Sequence, residues 1–303
     1  MNSKKTPYVL CILLQSLIYG IGNPLTKVAY ETIIPLWLLA ARFTVTFLVL
    51  LPFCGRRALA QLRGTKPSVW LPPCLCCAAA YISCNVALSL TSATNVGFIM
   101  SLPVLFTPFL AVPVLHRRYD LRRLPLQLAM AAGLFLLCMN GGRLSFGTGE
   151  ALALLDALAL AGVLVFGERA MHALDALSLT LLQAGTAMAL CVPAALVLGD
   201  IGTLSGVSLR SWAVILYLAL VCTVGGYWLQ NFAVVSLSAQ TVSMLQCTQP
   251  VMTAFVSFFL LHETLGGAGL FGAAVIVLCL LVNGALPAGY EKAKNCEKVG
   301  KVE

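Results

Sequence analysis

The chain has 303 residues, of which 60% are apolar and only 10% charged, with a formal net charge of +8. Globular domains carry roughly 45–50% apolar and about 25% charged residues. This composition therefore excludes a disordered chain, a secreted disulfide scaffold and most soluble enzymes, and indicates a polytopic membrane protein.

Ten apolar runs follow in chain order, each of a length that suits a membrane helix. The first, Tyr8 to Ala29, follows Lys4 and Lys5 as a signal peptide would. Asn23 and Lys27 stand where a small-residue cleavage site belongs, so the run is read as a retained helix. Asn23-Pro24 is expected to break it, either as a cavity-lining kink or as a packing kink. Ile34 to Cys54 carries Arg42 midway. That guanidinium suits a carboxylate anchor or a gate partner, or a structural residue that snorkels or bonds a backbone carbonyl.

Val69 to Leu90 contains Asn85 and the cluster Cys74, Cys76, Cys77. The cluster lacks zinc-ligand spacing and reads, like nearly all of the 12 cysteines, as small apolar filler. Ala93 to Leu115 opens near Asn95 and holds Pro103, Pro108 and Pro113, and Leu124 to Asn140 completes a first set of five. Ala151 to Phe166 carries Asp156 about one turn inside. A carboxylate there could bind an amine, carry a proton, pair with Arg42, or simply reach water at the interface.

Leu177 to Leu198 contains Gln183, and Trp212 to Val235 contains Tyr227, Gln230 and Asn231. Trp212 and Trp228 read equally as interfacial anchors. Ser238 to Leu261 is unusually polar. Ser243, Gln246 and Pro250 share one helical face, as do Gln246, Gln249 and Thr253. Such neutral groups can line a solute path or glue helices together. Leu265 to Leu286 is rich in small residues that could mark a homodimer face.

With ten spans and the N-terminus inside, 15 of the 19 basic residues fall on the inner side. Only Lys27, Arg143 and Arg210 fall outside, and Arg42 is left within a span. The bias encodes orientation and places both termini in the cytoplasm; nucleic-acid binding is not expected.

The chain also repeats. A shift of 141 lays Pro35 to Arg42 on Ala176 to Gln183, Pro52 on Pro193 and Gln15 on Asp156. A shift of 146 lays Asn85 on Asn231, Ala87 on Ala233, Thr107 on Thr253 and Leu115-His116 on Leu261-His262. Five spans per copy is an odd number, so the second copy must enter the membrane inverted. The expected fold is all-α, ten transmembrane helices as two inverted five-helix repeats at 1–142 and 143–287, with a cytoplasmic tail at 288–303.

At these residues the sequence resembles the EamA-type branch of the drug/metabolite transporter superfamily. The likeness rests on Pro35 to Phe43, on Thr91 to Ile99, on Leu179 to Gln183, and on Leu229-Gln230-Asn231 with Ser238 to Thr241. It extends to Pro250 followed by Leu261-His262-Glu263-Thr264-Leu265. The resemblance implies cytoplasmic termini and export of small metabolites, such as amino acids, across the inner membrane. The chain departs from it at Gln249, where many relatives carry glutamate, and at Thr241 or Val242, where a basic residue is common. Both changes remove charge from the path and argue against proton coupling through that glutamate and against a strongly charged solute.

No Walker, Gly-x-Ser-x-Gly or His-Glu-x-x-His motif occurs, and His116, His172 and His262 form no metal pair. No enzyme chemistry, cofactor or metal is therefore expected. The expected partners are a small-molecule solute and the lipid bilayer. The substrate path is expected at Gln15, Asn23, Arg42, Asn85, Asn95, Asp156, Gln183, Tyr227, Gln230, Asn231, Gln246 and Gln249. A non-transporting membrane enzyme or receptor is the alternative.

Overall fold

Proline opens three of the first four helices, where its missing N–H is no loss and its fixed φ fits the first turn. These are α2 (Pro35–Gly64), α3 (Pro67–Leu90) and α4 (Pro103–Leu115); α1 spans Thr6–Ala29 and α5 Leu124–Cys138. In this computed structural model the described residues are 5–90, 96, 99–116, 123–138, 147–261 and 266–285; Asn95 lies outside them.

The second half begins with α6 (Thr148–Ala170), where Glu150 Oε2 accepts the Gly147 N–H at 2.9 Å. Helix α7 (Ala176–Leu198) is capped by Asp175, whose side chain accepts the Ser178 N–H at 3.0 Å. A short 3₁₀ turn, Ile201–Gly206, leads to α8, which runs from Leu209 to Leu237 in three pieces. Its middle piece, Leu218–Gly226, is π-helical, and there the Thr223 hydroxyl donates to Leu218 O at 2.8 Å. Such π segments are often found at functional sites. Helix α9 comes in two pieces, α9a (Ala239–Gln246) and α9b (Thr248–Leu261), and α10 spans Gly267–Ala285.

Six described stretches are long and apolar enough to cross a membrane: Thr6–Thr26, Pro35–Gly64, Pro67–Ala87, Thr148–Ala170, Ala176–Leu198 and Leu209–Leu237. Three shorter apolar helices join them, Pro103–Leu115, Leu124–Leu137 and Gly267–Val282. Every expected span therefore has a helix, with two differences. The first is that α1 passes through Pro24 without interruption as far as Ala29, where a break was expected. In the following turn the Thr26 hydroxyl donates to Gly22 O at 2.8 Å, the kind of side-chain bond that lets buried helices tolerate proline. The second is that the expected ninth span is divided at Cys247. Pro250 lacks an N–H, and its ring crowds the carbonyl four residues back, that of Gln246.

The helix packing has a two-fold pattern. The extensive contacts are α3 with α6, α2 with α7, α5 with α10, and α1 with both α8 and α9. Exchanging each helix with the one five further on turns α1–α8 into α6–α3, and α1–α9 into α6–α4, which also pack. The pairs α2–α7, α4–α9 and α5–α10 map onto themselves. Polarity is distributed inside out relative to a soluble protein. Phe53, Leu198, Phe259, Leu270 and Leu281 are exposed, whereas Gln15, Arg42, Asp156 and Asn231 are buried. Polar groups inside apolar spans are costly and are tolerated facing a bundle interior.

Candidate functional site

Three glutamines meet in the half of the bundle nearer the start of α1. Gln15 Nε2 donates to Gln230 Oε1 at 2.9 Å, and Gln246 Nε2 donates to the same oxygen at 2.8 Å. Gln246 Nε2 also reaches Gln15 Oε1 at 3.3 Å. Three helices, α1, α8 and α9a, are thereby joined through neutral amides. Beside them, Asn231 Nδ2 donates to Thr180 Oγ1 and to Gln183 Oε1, both at 3.1 Å. The start of α9a is fixed by Glu168, whose Oε2 accepts the Ala239 N–H at 2.6 Å.

Midway along the bundle, Arg42 of α2 lies among tyrosines. Its Nε donates to Thr223 Oγ1 at 2.7 Å and its Nη2 to the Tyr81 hydroxyl at 3.2 Å. The guanidinium stands 4.9 Å from the Tyr81 ring centroid, within cation–π range. The hydroxyls of Tyr19 and Tyr227 lie close to that of Tyr81. The Tyr81 and Tyr227 rings lie 6.2 Å apart, and Cys77 Sγ donates to the Tyr227 hydroxyl at 3.4 Å. Tyr19 and Tyr81 are half-buried. Gly226 of the π segment lets Tyr19 in: a Cβ there would lie 3.0 Å from the Tyr19 hydroxyl.

Toward the opposite face the polar groups change. The Tyr30 hydroxyl donates to Asn85 Oδ1, and Asn85 Nδ2 to Tyr81 O at 2.8 Å. Asp156 lies beside the Cys84 thiol, and its Oδ2 has no partner among the described residues. The repeat relates these groups to those at the other end. Gln15 corresponds to Asp156 by the shift of 141, and Cys84 corresponds to Gln230 by the shift of 146. The Gln15–Gln230 contact of α1 and α8 is therefore the counterpart of the Asp156–Cys84 contact of α6 and α3.

Of the residues expected on a path, Gln15, Gln230 and Gln246 form one group and Asn231 and Gln183 another. Arg42 and Tyr227 join through Tyr81. Asn85 lies next to this cluster, and Asp156 pairs with Cys84. Asp156 forms no ion pair with Arg42, one of the expected alternatives, because Arg42 is turned to Thr223 and Tyr81. It is also 1% exposed, so it does not reach water as the bland alternative required. Gln249 is half-buried on α9b, beyond the break, and does not bond the other glutamines. The side chain of Asn23 and the whole of Asn95 lie outside the described residues.

Tyr19, Tyr81, Cys84 and Thr223 were not anticipated. A usable signal existed for Tyr81, since the shift of 146 lays it on Tyr227. The symmetry-related tyrosines thus meet each other at the junction of the halves.

The model of the EamA-like transporter family matches twice, at residues 6–139 and 147–284. The chain belongs to the EamA-like transporter family. This EamA-like protein is accordingly a membrane transporter of the drug/metabolite transporter superfamily, built from two copies of one unit. No curated protein matches it in sequence. A crystal structure described only as that of a protein superposes with a TM-score of 0.76 at 17% identity. The match covers 93% of this chain and 97% of that one, a likeness of fold alone.

Proposed function

We propose that this transporter moves a small polar or amphipathic metabolite, such as an amino acid, out of the cell by alternating access, acting at the cytoplasmic membrane with both termini inside. The halves, taken as 1–142 and 143–287, would rock about the cluster of Tyr19, Arg42, Tyr81, Thr223 and Tyr227. One observation carries this reading: the symmetry-related Tyr81 and Tyr227 meet at the crossing of α3 and α8, with polar pairs related by the same repeat toward opposite faces. A site shared by both halves is what inverted repeats need if each face is to open in turn. The basic residues that the sequence places on one side support the orientation.

The test is purified protein in proteoliposomes challenged with labelled amino acids and related metabolites, with and without a pH gradient. Saturable flux with counterflow of at least one solute is expected. Absence of movement across the panel would favour a membrane protein that binds or reacts without transporting.

A further inference from the structure

We propose, on the reading that the tyrosine cluster is the solute site, that Arg42 holds a carboxylate of the solute and the tyrosine rings hold an aromatic or compact apolar body beside it. The transported class is then a small organic monoanion, not an amine or a sugar.

The argument begins with an uncompensated charge. Arg42 is 7% exposed, and a guanidinium keeps its charge in proteins. A buried charge is costly unless it is paired. Among the described residues its hydrogen bonds go to a threonine and a tyrosine, with no carboxylate. Two of its five N–H donors are so engaged. None of its nitrogens counts among the buried polar atoms that lack a partner. Asp156, the acid that could have neutralised it, lies beside Cys84 and makes no ion pair with Arg42.

The repeat supplies a control within the same molecule. Position 42 corresponds to Gln183, whose amide is buried in an equivalent place and bonds Asn231. The equivalent place thus holds a neutral amide, although its Nε2 has no partner among the described residues, and no cation is required there. What the cation adds is recognition of an anion, bidentate where the ligand is a carboxylate. Phe43 and Tyr81 form an edge-on aromatic pair at 4.9 Å, and Tyr227 adjoins Tyr81. Phe43 and Tyr227 are buried, so the rings left to meet a solute are those of half-buried Tyr81 and Tyr19, each with apolar area and a hydroxyl. A cationic solute would meet like charge.

The test is thermal unfolding of the full chain in lipid nanodiscs with four probes: phenylacetate, phenylacetamide, phenethylamine and phenylalanine. Phenylacetate should raise the Tm in a saturable way, and the amide and the amine should not. Phenylalanine should stabilise less than phenylacetate. Arg42→Gln, which copies the related position, should fold and bind phenylacetate about tenfold or more weakly. Arg42→Lys should bind it weakly yet still prefer the acid to the amide, which keeps the test decisive if the glutamine variant does not fold. Equal stabilisation by the amide, no response to phenylacetate, or undiminished binding in Arg42→Gln would each overturn the proposal. Because binding requires no flux, acid binding without transport would count against the transporter mechanism and not against the anion site.

Discussion

Gln230 Oε1 accepts from two amides at once, those of Gln15 and Gln246. Replacing Gln246 with leucine removes the donor to both partners and leaves buried oxygens short of hydrogen bonds. An unmatched buried acceptor costs about 1–3 kcal/mol. If the triad is a wall of the path, Gln246→Leu lowers flux about tenfold or more per folded molecule. Flux normalised to correctly folded protein checks this; an unchanged value beside a lowered Tm would reduce the triad to helix glue. These glutamines were legible in the sequence because an amide within an apolar run is conspicuous. Tyr19 and Tyr81 were not, because a tyrosine in such a run looks like one more aromatic residue. Asp156 was legible as an oddity but not in its partner, since Cys84 resembles the filler cysteines around it. Only the helix crossing identifies that thiol.

Element boundaries obey local chemistry, and the start of α7 can be tested. Asp175 caps α7, taking the Ser178 backbone N–H, the Ser178 hydroxyl and Gln61 Nε2, with Arg57 Nε at 2.8 Å. Burial alone would raise its pKa, but the Ser178 and Gln61 hydrogen bonds and the Arg57 charge outweigh burial and hold it below the usual carboxylate value. A carboxylate depressed on folding contributes stability that is complete above its unfolded value, about 3.9. That contribution is lost as the pH falls through the lower folded value. Acidification across this window should lower the Tm of the wild type. Asp175→Asn should flatten that part of the pH profile and cost about 0.5–2 kcal/mol at neutral pH. Arg57 is 67% exposed, so its ion pair adds little of this. An Asn variant with the same acid profile would contradict the assignment.

Helix crossings set the second test. A Cβ on Gly20 would lie 2.8 Å from Met252 Cβ and 3.0 Å from Met252 C, so α9b backbone blocks it. Gly20→Ala should therefore cost about 1–3 kcal/mol despite the better helix propensity of alanine. Gly64→Ala meets nothing within 4 Å and should be neutral or stabilising. Unfolding of both variants in nanodiscs decides it. The break in α9 shows why local pattern misled: Gln246 and Gln249 share a face only if the helix is continuous, and Pro250 divides it between them.

At the scale of the whole molecule, two modest sequence shifts carried most of the architecture. The pairs α2–α7 and α5–α10 and the related crossings α1–α8 and α6–α3 follow once the halves are known to be inverted. The identity of the central contacts did not follow, because the two shifts differ by five residues and leave the relative depth of α1 and α3 open. At the depths the helices take, the Gln15–Gln230 and Asp156–Cys84 pairs lie toward opposite faces. On the alternating-access reading, whatever opens one pair closes the other. Cys84 is a natural reporter at one end, and Gln230→Cys places a thiol at the other. Alkylation by a membrane-permeant maleimide, read peptide by peptide by mass spectrometry, follows both without removing the other cysteines. A transported solute from the flux panel should change the labelling rates of Cys84 and of the introduced Gln230→Cys thiol in opposite directions, by about threefold or more if it shifts the population by roughly 0.7 kcal/mol. Rates that rise or fall together would mean that the halves loosen as one body, and the two-fold relation would then be a record of how the chain is built, without a part in how it moves solute.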